Sequence, residues 1–394
     1  MQSDLSRKPK ILIMANYAPD AQFSQLGHAK WLVNEMPKEG FEVSVISPKK
    51  IFGGGTGEFA KWRGYVDKYI LFPFVLYRAS KKVDMVHIAD HSYAMYGKFC
   101  AGRWGVTLHD LIPQRSIKGE LEVNVRFTGR VLQNWIRTWL KRCPCVGSVS
   151  RASMEDYLRF INPDPSVLFL TPDCLYRDFH RIPENESQRL FEEAGISELL
   201  STPFMFHIGG NGFTKNRRGY LRIVSELKKN PKFAHMKFVA CGKTFDAKTR
   251  AVLEELNLQD TIIEVQSASD DMVLALYSRA QCLIFPSLVE GFGLPVLEAM
   301  ACGCPVFTSG RLPMTEVGGQ AARYFNPDNP AEAAEVISHH WDEREEMVAQ
   351  GYIEAERQNT AASSGAYAEW YHVVLNGEKS KAGSRAKATA NITA

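Results

Sequence analysis

A chain of 394 residues with 45% hydrophobic and 23% charged residues has globular averages, and its length suits two domains of roughly 170–190 residues each. A net charge of +3 with no arginine- or lysine-rich run gives no electrostatic case for nucleic acid. No stretch reaches the ~18 uninterrupted apolar residues of a membrane span, and the polar start, MQSDLSRKPK, lacks a signal-peptide core, so a cytoplasmic enzyme is expected.

In the first half, residues 10–16 have a buried-strand pattern. Residues 24–36 predict a helix with Leu26, Ala29, Leu32, Val33 and Met36 on one face, and 41–47 predict a second strand. This β–α–β opening points to a doubly wound parallel sheet. The glycine-rich run 53–57 (GGGTG) lacks the Lys-Ser/Thr ending of a phosphate-binding loop and is expected to be mobile. Residues 59–82 are rich in aromatics and bases. Packing on the sheet is the favoured reading, and an interfacial, membrane-touching surface is the alternative. Strands follow at 83–88 and 106–110, and the second places His109 at a strand's C-terminal end, where open α/β sheets bind ligands. Residues 127–140 form an amphipathic pattern, apolar at 127, 131, 132, 135, 136, 139 and 140, with Arg126, Arg130, Arg137 and Lys141 off that face. Core packing is expected there, with an acceptor- or lipid-facing edge as the other possibility. Strands at 145–150 and 167–170 complete the first sheet.

The second half restarts the pattern. A strand at 204–208 runs into Gly209-Gly-Asn-Gly212 and then Lys215 at a helix start, a combination that suits an anion. Further strands at 237–240 and 261–265 alternate with helices at 247–256 and 270–279. Then comes IFPSLVEGFGLPVLEAMACGCPVFTSG, residues 284–310. It reads as a strand end, a loop with Gly291 and Gly293, and a helix with Pro295 in its first turn, closed by Gly303 before another strand. A helix N-terminus attracts phosphate. Glu290 and Glu298 beside it would repel phosphate, so they are suited to accept hydrogen bonds from hydroxyl groups. The ligand that fits is a sugar joined to a nucleotide through a diphosphate. Eight cysteines (100, 143, 145, 174, 241, 282, 302 and 304) show no metal spacing and read as reduced core residues.

Residues 286–306, with the two glutamates separated by seven residues around GFGLP, resemble the donor-site signature of the retaining GT-B glycosyltransferases, the mannosyl- and glucosyltransferase-like group. The resemblance implies an α/β fold of two Rossmann-like domains facing across a cleft. Residues 8–180 would form the acceptor-side domain and 181–362 the nucleotide-sugar domain. Residues 363–376 would be a helix crossing back to the first domain, and 377–394 a disordered tail. By the same resemblance, His109, Lys215 and Glu290 are the catalytic candidates. Gly209, Arg217, Gly291, Phe292, Gly293, Leu294 and Glu298 are the donor-binding candidates, with Glu298 on the ribose and Asp110 on the acceptor side. Two departures stand out. Gly210 occupies the place of an expected arginine, for which Arg217 is the preferred substitute over Arg218. The usual Gly-Gly loop after the first strand is replaced by residues 18–24, where Gln22 and Ser24 could arrange the acceptor.

The implied reaction moves a hexose-type sugar, with retention, from a UDP- or GDP-linked donor to a glycan or lipid-linked acceptor in cell-surface polysaccharide synthesis. No metal, cofactor or nucleic acid is expected. The place is the cytoplasm, with peripheral contact at the inner face of the plasma membrane. A catalytically inactive GT-B-like scaffold subunit, a sugar-nucleotide epimerase and a phosphorylase are the competing readings.

Overall fold

A computed structural model of the chain describes residues 7–20, 22–53, 59–123, 125–378 and 380. The expectations for the 53–57 loop and the 377–394 tail fall mostly outside these residues. The chain divides into two units: the first reaches Tyr176 and resumes at Thr360, and the second is Arg177–Asn359.

The first unit is a parallel sheet of β1 (Lys10–Met14), β2 (Glu42–Ile46), β3 (Met85–Ile88), β4 (Arg103–Leu108), β5 (Val146–Ser148) and β6 (Leu168–Leu170), in the order β2-β1-β3-β4-β5-β6. The second contains β7 (Phe204–Ile208), β8 (Lys237–Gly242), β9 (Ile262–Gln266), β10 (Leu283–Phe285), β11 (Val306–Ser309) and β12 (Ala322–Phe325), in the order β12-β11-β10-β7-β8-β9. Each sheet reverses its winding once, between β1 and β3 and between β7 and β10. The crevice beyond the carboxyl ends of strands at such a reversal is where doubly wound sheets bind ligands.

Helices cover both sheet faces, so the inner strands are buried and largely apolar, with His87, Thr107 and His207 as buried polar exceptions. Leu12, Met14, Val86 and Ile88 share one core with Phe72, Leu76, Ile136 and Tyr157. Ile11, Ile13 and Met85 share the other with Leu32, Met36 and the returning C-terminal helix Thr360–Asn376, which contributes Tyr367, Trp370 and Tyr371. In the second unit the helix Arg217–Leu227 buries Tyr220, Leu221, Ile223, Val224 and Leu227, and its Tyr220 stacks on His207 of β7 with ring centroids 4.5 Å apart.

Two helical segments depart from the core packing expected of them. The helix Phe127–Lys141 buries Ile136 and Leu140 but exposes Phe127, Val131, Leu132 and Trp135. The segment between β2 and β3 comprises the helix Phe59–Val66, a π-helical turn Asp67–Leu71 and the helix Phe72–Ser80. It buries Phe72 and Leu76 and exposes Ile70, Phe74 and Val75. Each carries a wider apolar arc than it buries, so the remainder faces water.

Candidate active site

At the β7–β10 reversal, two loops meet and are tied by specific hydrogen bonds. The Thr214 carbonyl accepts from the Ser287 hydroxyl (2.8 Å) and from the Leu288 N–H (2.7 Å). Asn216, held at φ 50° between the turn Phe213–Lys215 and the next helix, donates from Nδ2 to the Pro286 and Pro327 carbonyls (3.1 Å each). Its Oδ1 accepts the Gly219 N–H (3.1 Å). Asparagine tolerates this left-handed backbone and caps helices, so one residue does both tasks.

Lys215 sits on this tie. Its stem packs against Gly209, where an added Cβ would lie 3.1 Å from Lys215 Cγ. Its ammonium stands 5.1 Å from the Phe285 ring centroid and 2.7 Å from Glu290 Oε1, which also accepts the Ser287 hydroxyl at 2.5 Å. The chain then turns through Gly293 at φ +102°, a left-handed conformation suited to glycine, and enters the helix Leu294–Ala301 with Pro295 in its first turn. One turn in, Glu298 Oε2 accepts from the Tyr277 hydroxyl at 2.9 Å, supplied by the helix Asp270–Arg279. Burial raises the Glu298 carboxyl above its ordinary range, while the Tyr277 hydrogen bond and the cations Arg177 and Lys215 pull it back. Gly209, Lys215, Glu290, the 291–294 turn and Glu298 thus gather at one strand-end crevice. The crevice offers an ammonium and a helix N-terminus to an anion and two carboxylates to hydroxyls. Among the described residues, no group of three or more His, Cys, Asp or Glu side chains converges as a metal site.

Arg217 has a different task from the phosphate contact expected of it. It is buried, with Nη1 donating to Asn211 Oδ1 (2.9 Å) and the Lys243 carbonyl (2.5 Å), and Nη2 donating to the Cys241 carbonyl (3.1 Å). These acceptors bind the loop after β7 to the end of β8. Its terminal nitrogens are committed to that strut because Asn211 of the 209–212 loop and the Cys241 and Lys243 carbonyls at the end of β8 lie within their reach.

In the first unit, His109 lies just past β4 and is buried. Its Nε2 is 2.9 Å from the Ala89 carbonyl, and Nδ1 is 3.9 Å from Asp173 Oδ2. Burial alone would lower this imidazole's pKa. The charge of the Asp173 carboxylate 3.9 Å away, with that of Asp90, outweighs burial and raises it to about 9. The neighbouring His28, with ring centroid 4.9 Å from that of His109, is pushed down to about 3 by burial and by His109. Asp110 lies just before the short helix Ile112–Ile117, its Oδ1 accepting the Ile112 N–H at 3.0 Å. Gln22 accepts from Asn16 Nδ2 at 2.5 Å, and the same amide donates to Asp90 at 2.6 Å. Tyr277, Asn216, Ser287, Asn16, Asp90 and Asp173 were not among the expected site residues. Asn216 carries a readable signal, an asparagine directly before a helical run. The others declare themselves only through tertiary contacts.

Residues 192–356 match the family model described as "Glycosyl transferases group 1". The chain carries a group 1 glycosyl transferase domain. That stretch contains every donor-side candidate from Gly209 to Glu298. The O-antigen chain mannosyltransferase B of Escherichia coli is 38% identical over 232 residues, covering 58% of this chain and 60% of that protein. The O-antigen chain mannosyltransferase RfbU of Salmonella typhimurium is 27% identical over 192 residues, covering 48% of this chain and 49% of that protein. The matched stretches therefore span about half to three fifths of those relatives. A sucrose-phosphate synthase structure from Thermosynechococcus elongatus aligns with a TM-score of 0.70, covering 94% of this chain and all of that one, at 17% identity. That likeness is one of fold, the GT-B architecture of two Rossmann-like α/β domains.

Proposed function

We propose that the chain is a retaining hexosyltransferase. It takes a sugar, mannose being favoured by the names of its relatives, from a UDP- or GDP-linked donor and places it on a hydroxyl of a glycan or lipid-linked acceptor in cell-surface polysaccharide synthesis. It works at the cytoplasmic face of the membrane. The observation that carries this reading is the joint presence of Lys215, Glu290 and Glu298 around the N-terminus of the helix Leu294–Ala301. As the bond from the sugar C1 to the diphosphate oxygen breaks, the electron pair stays on that oxygen. Lys215 and the N–H groups at Gly293 and Leu294 stabilise the charge, a pre-organised electrostatic contribution that needs no metal in this reading. Glu290 holds sugar hydroxyls close to the positive centre that forms at C1, and Glu298 holds the ribose. The acceptor oxygen bonds to C1, and its proton passes to the released diphosphate oxygen that carries the electron pair.

An inactive scaffold is the second reading, favoured by Gly210 in the expected arginine's place and by the commitment of Arg217 to backbone carbonyls. Calorimetry with UDP, GDP, ADP and TDP separates the two. One nucleotide is expected to bind, and Glu298→Gln to weaken it by about 1–3 kcal/mol, the worth of a charged hydrogen bond. Failure of all four to bind would overturn the donor site and favour the scaffold.

A further inference from the structure

We infer that Arg311 is a second cation for the diphosphate of the donor, supplying the positive charge missing at Gly210; the inference rests on the transfer reading above. The carboxyl end of β11 delivers it there. β11 pairs in parallel with β10, and their last register pair is Phe285 with Thr308. Three residues beyond that pair the two segments still touch, with Arg311 Nη1 donating to the Leu288 carbonyl at 3.4 Å. Leu288 is the residue whose N–H binds the carbonyl of Thr214, directly before Lys215, and it stands two residues before Glu290. Farther along, Met314 reaches the Gly293 turn, where an added Cβ would lie 4.0 Å from Met314 Cγ. The stretch from Arg311 to Met314 therefore runs beside the loop from Leu288 to Gly293. β7 and β11 flank β10 on opposite sides, so Lys215 and Arg311 approach that loop from opposite sides.

Charge balance asks for such a group. The Lys215 ammonium is matched by Glu290, and Glu298 adds another carboxyl, so these three side chains carry no excess positive charge for a doubly charged diphosphate. The other arginines near this edge are turned elsewhere. Arg217 is committed to Asn211 and to the Cys241 and Lys243 carbonyls. Arg218 acts on Asp246, past the end of β8, and lowers its carboxyl. Arg177 pairs with Asp270, and its charge is felt at Cys302, behind the last turn of the helix Leu294–Ala301 and away from its N-terminus. The contacts of Arg311, in contrast, are ones an anion can replace. Its Nη2 pairs with Asp328, and the two side chains are 39% and 61% exposed. An exposed ion pair is worth little, and a guanidinium fork matches two phosphate oxygens better than one carbonyl. Asp328 belongs to the same assembly of loops, because the carbonyl of neighbouring Pro327 accepts from Asn216, the residue after Lys215. On donor binding the guanidinium exchanges Asp328 for the diphosphate. As the bond from C1 breaks, it donates hydrogen bonds to the phosphate oxygens on which charge builds.

The test is calorimetry of the full chain with UDP and GDP, on wild type, Arg311→Gln, Arg311→Lys and Asp328→Asn. Wild type is expected to bind one of the two, and Arg311→Gln to weaken that binding roughly 10- to 100-fold, as for a lost charge-assisted hydrogen bond. Arg311→Lys keeps the charge without the fork and is expected to recover part of the loss. Asp328→Asn removes the competing carboxylate, so the nucleotide should bind as tightly as to wild type or more so. Melting temperatures should change little, because the pair is exposed. The Asp328 variant separates a phosphate contact from a structural strut, which either substitution would break alike. Equal losses of affinity in Arg311→Gln and Asp328→Asn, or an Arg311→Gln protein that binds as wild type does, would overturn the role of Arg311 and leave the donor site standing. A wild-type chain that binds neither nucleotide would overturn the donor site and this inference with it.

Discussion

Lys215 and Glu290 neutralise each other at 2.7 Å in a part-buried site, so each depends on the other until a donor arrives. Lys215→Met removes the ammonium from this arrangement. It is expected to lower kcat roughly 10²–10³-fold, in the range found for losing one oriented electrostatic donor. Release of nucleoside diphosphate in the steady state measures this, and an unchanged kcat would remove Lys215 from the chemistry. Tyr277→Phe probes the second carboxylate. The Tyr277 hydrogen bond favours ionised Glu298, whose carboxyl is already raised by burial. Its loss raises Glu298 further, so nucleotide affinity should decline at a higher pH than in wild type as the solution is acidified. Superimposable pH profiles for the two proteins would show that Tyr277 has no hold on the site. The two glutamates were legible because their spacing and the GFGLP turn are local properties of the chain. Tyr277 was not: it sits in the apolar period of its own helix, and nothing local marks a hydroxyl aimed at Glu298.

Among the elements, most strands and helices follow from apolar runs and caps, with boundaries shifted by a residue or two where hydrogen-bond pairing stops before hydrophobicity does. β4, for instance, ends at Leu108 and leaves His109 and Asp110 beyond it. The exposed arcs of Phe127–Lys141 and Phe72–Ser80 were misjudged because periodicity shows that a helix has an apolar side without showing how much of that side is covered. Loop-to-strand contact is equally hidden. Gly242, at φ +136°, ends β8 so close to the next loop that an added Cβ would lie 2.2 Å from the Gly209 carbonyl oxygen. Gly242→Ala must therefore displace the backbone beside Lys215. A loss of about 1–3 kcal/mol in stability together with weaker nucleotide binding is expected in denaturation and calorimetry. Gly210→Ala, whose Cβ would meet nothing within 4 Å, is the control. Equal behaviour of the two variants would show that the loop yields freely.

At the scale of the whole chain, buried histidines give stability a definite pH optimum. His28 and His87 in the first unit and His207 in the second are all lowered to about 3, burial being the largest cause in each. As pH falls below the unfolded value near 6.5, the unfolded chain gains protons on these groups that the folded chain refuses, so stability is lost. His109 acts in the opposite direction. With its pKa at about 9, the folded form keeps a proton between roughly pH 6.5 and 9 that the unfolded form releases, so its contribution is complete below 6.5 and lost as pH rises through 9. Each group contributes a slope of up to about 1.4 kcal/mol per pH unit within its window. The first unit should therefore weaken in both directions from near neutrality, and the second mainly on acidification. Thermal unfolding followed from pH 5 to 9 in wild type and Asp173→Asn tests this. The variant removes the carboxylate that holds His109 protonated, so its alkaline decline should disappear while the acid decline from His28, His87 and His207 persists. An alkaline decline of unchanged slope in Asp173→Asn would mean that a group other than His109 governs stability above neutrality.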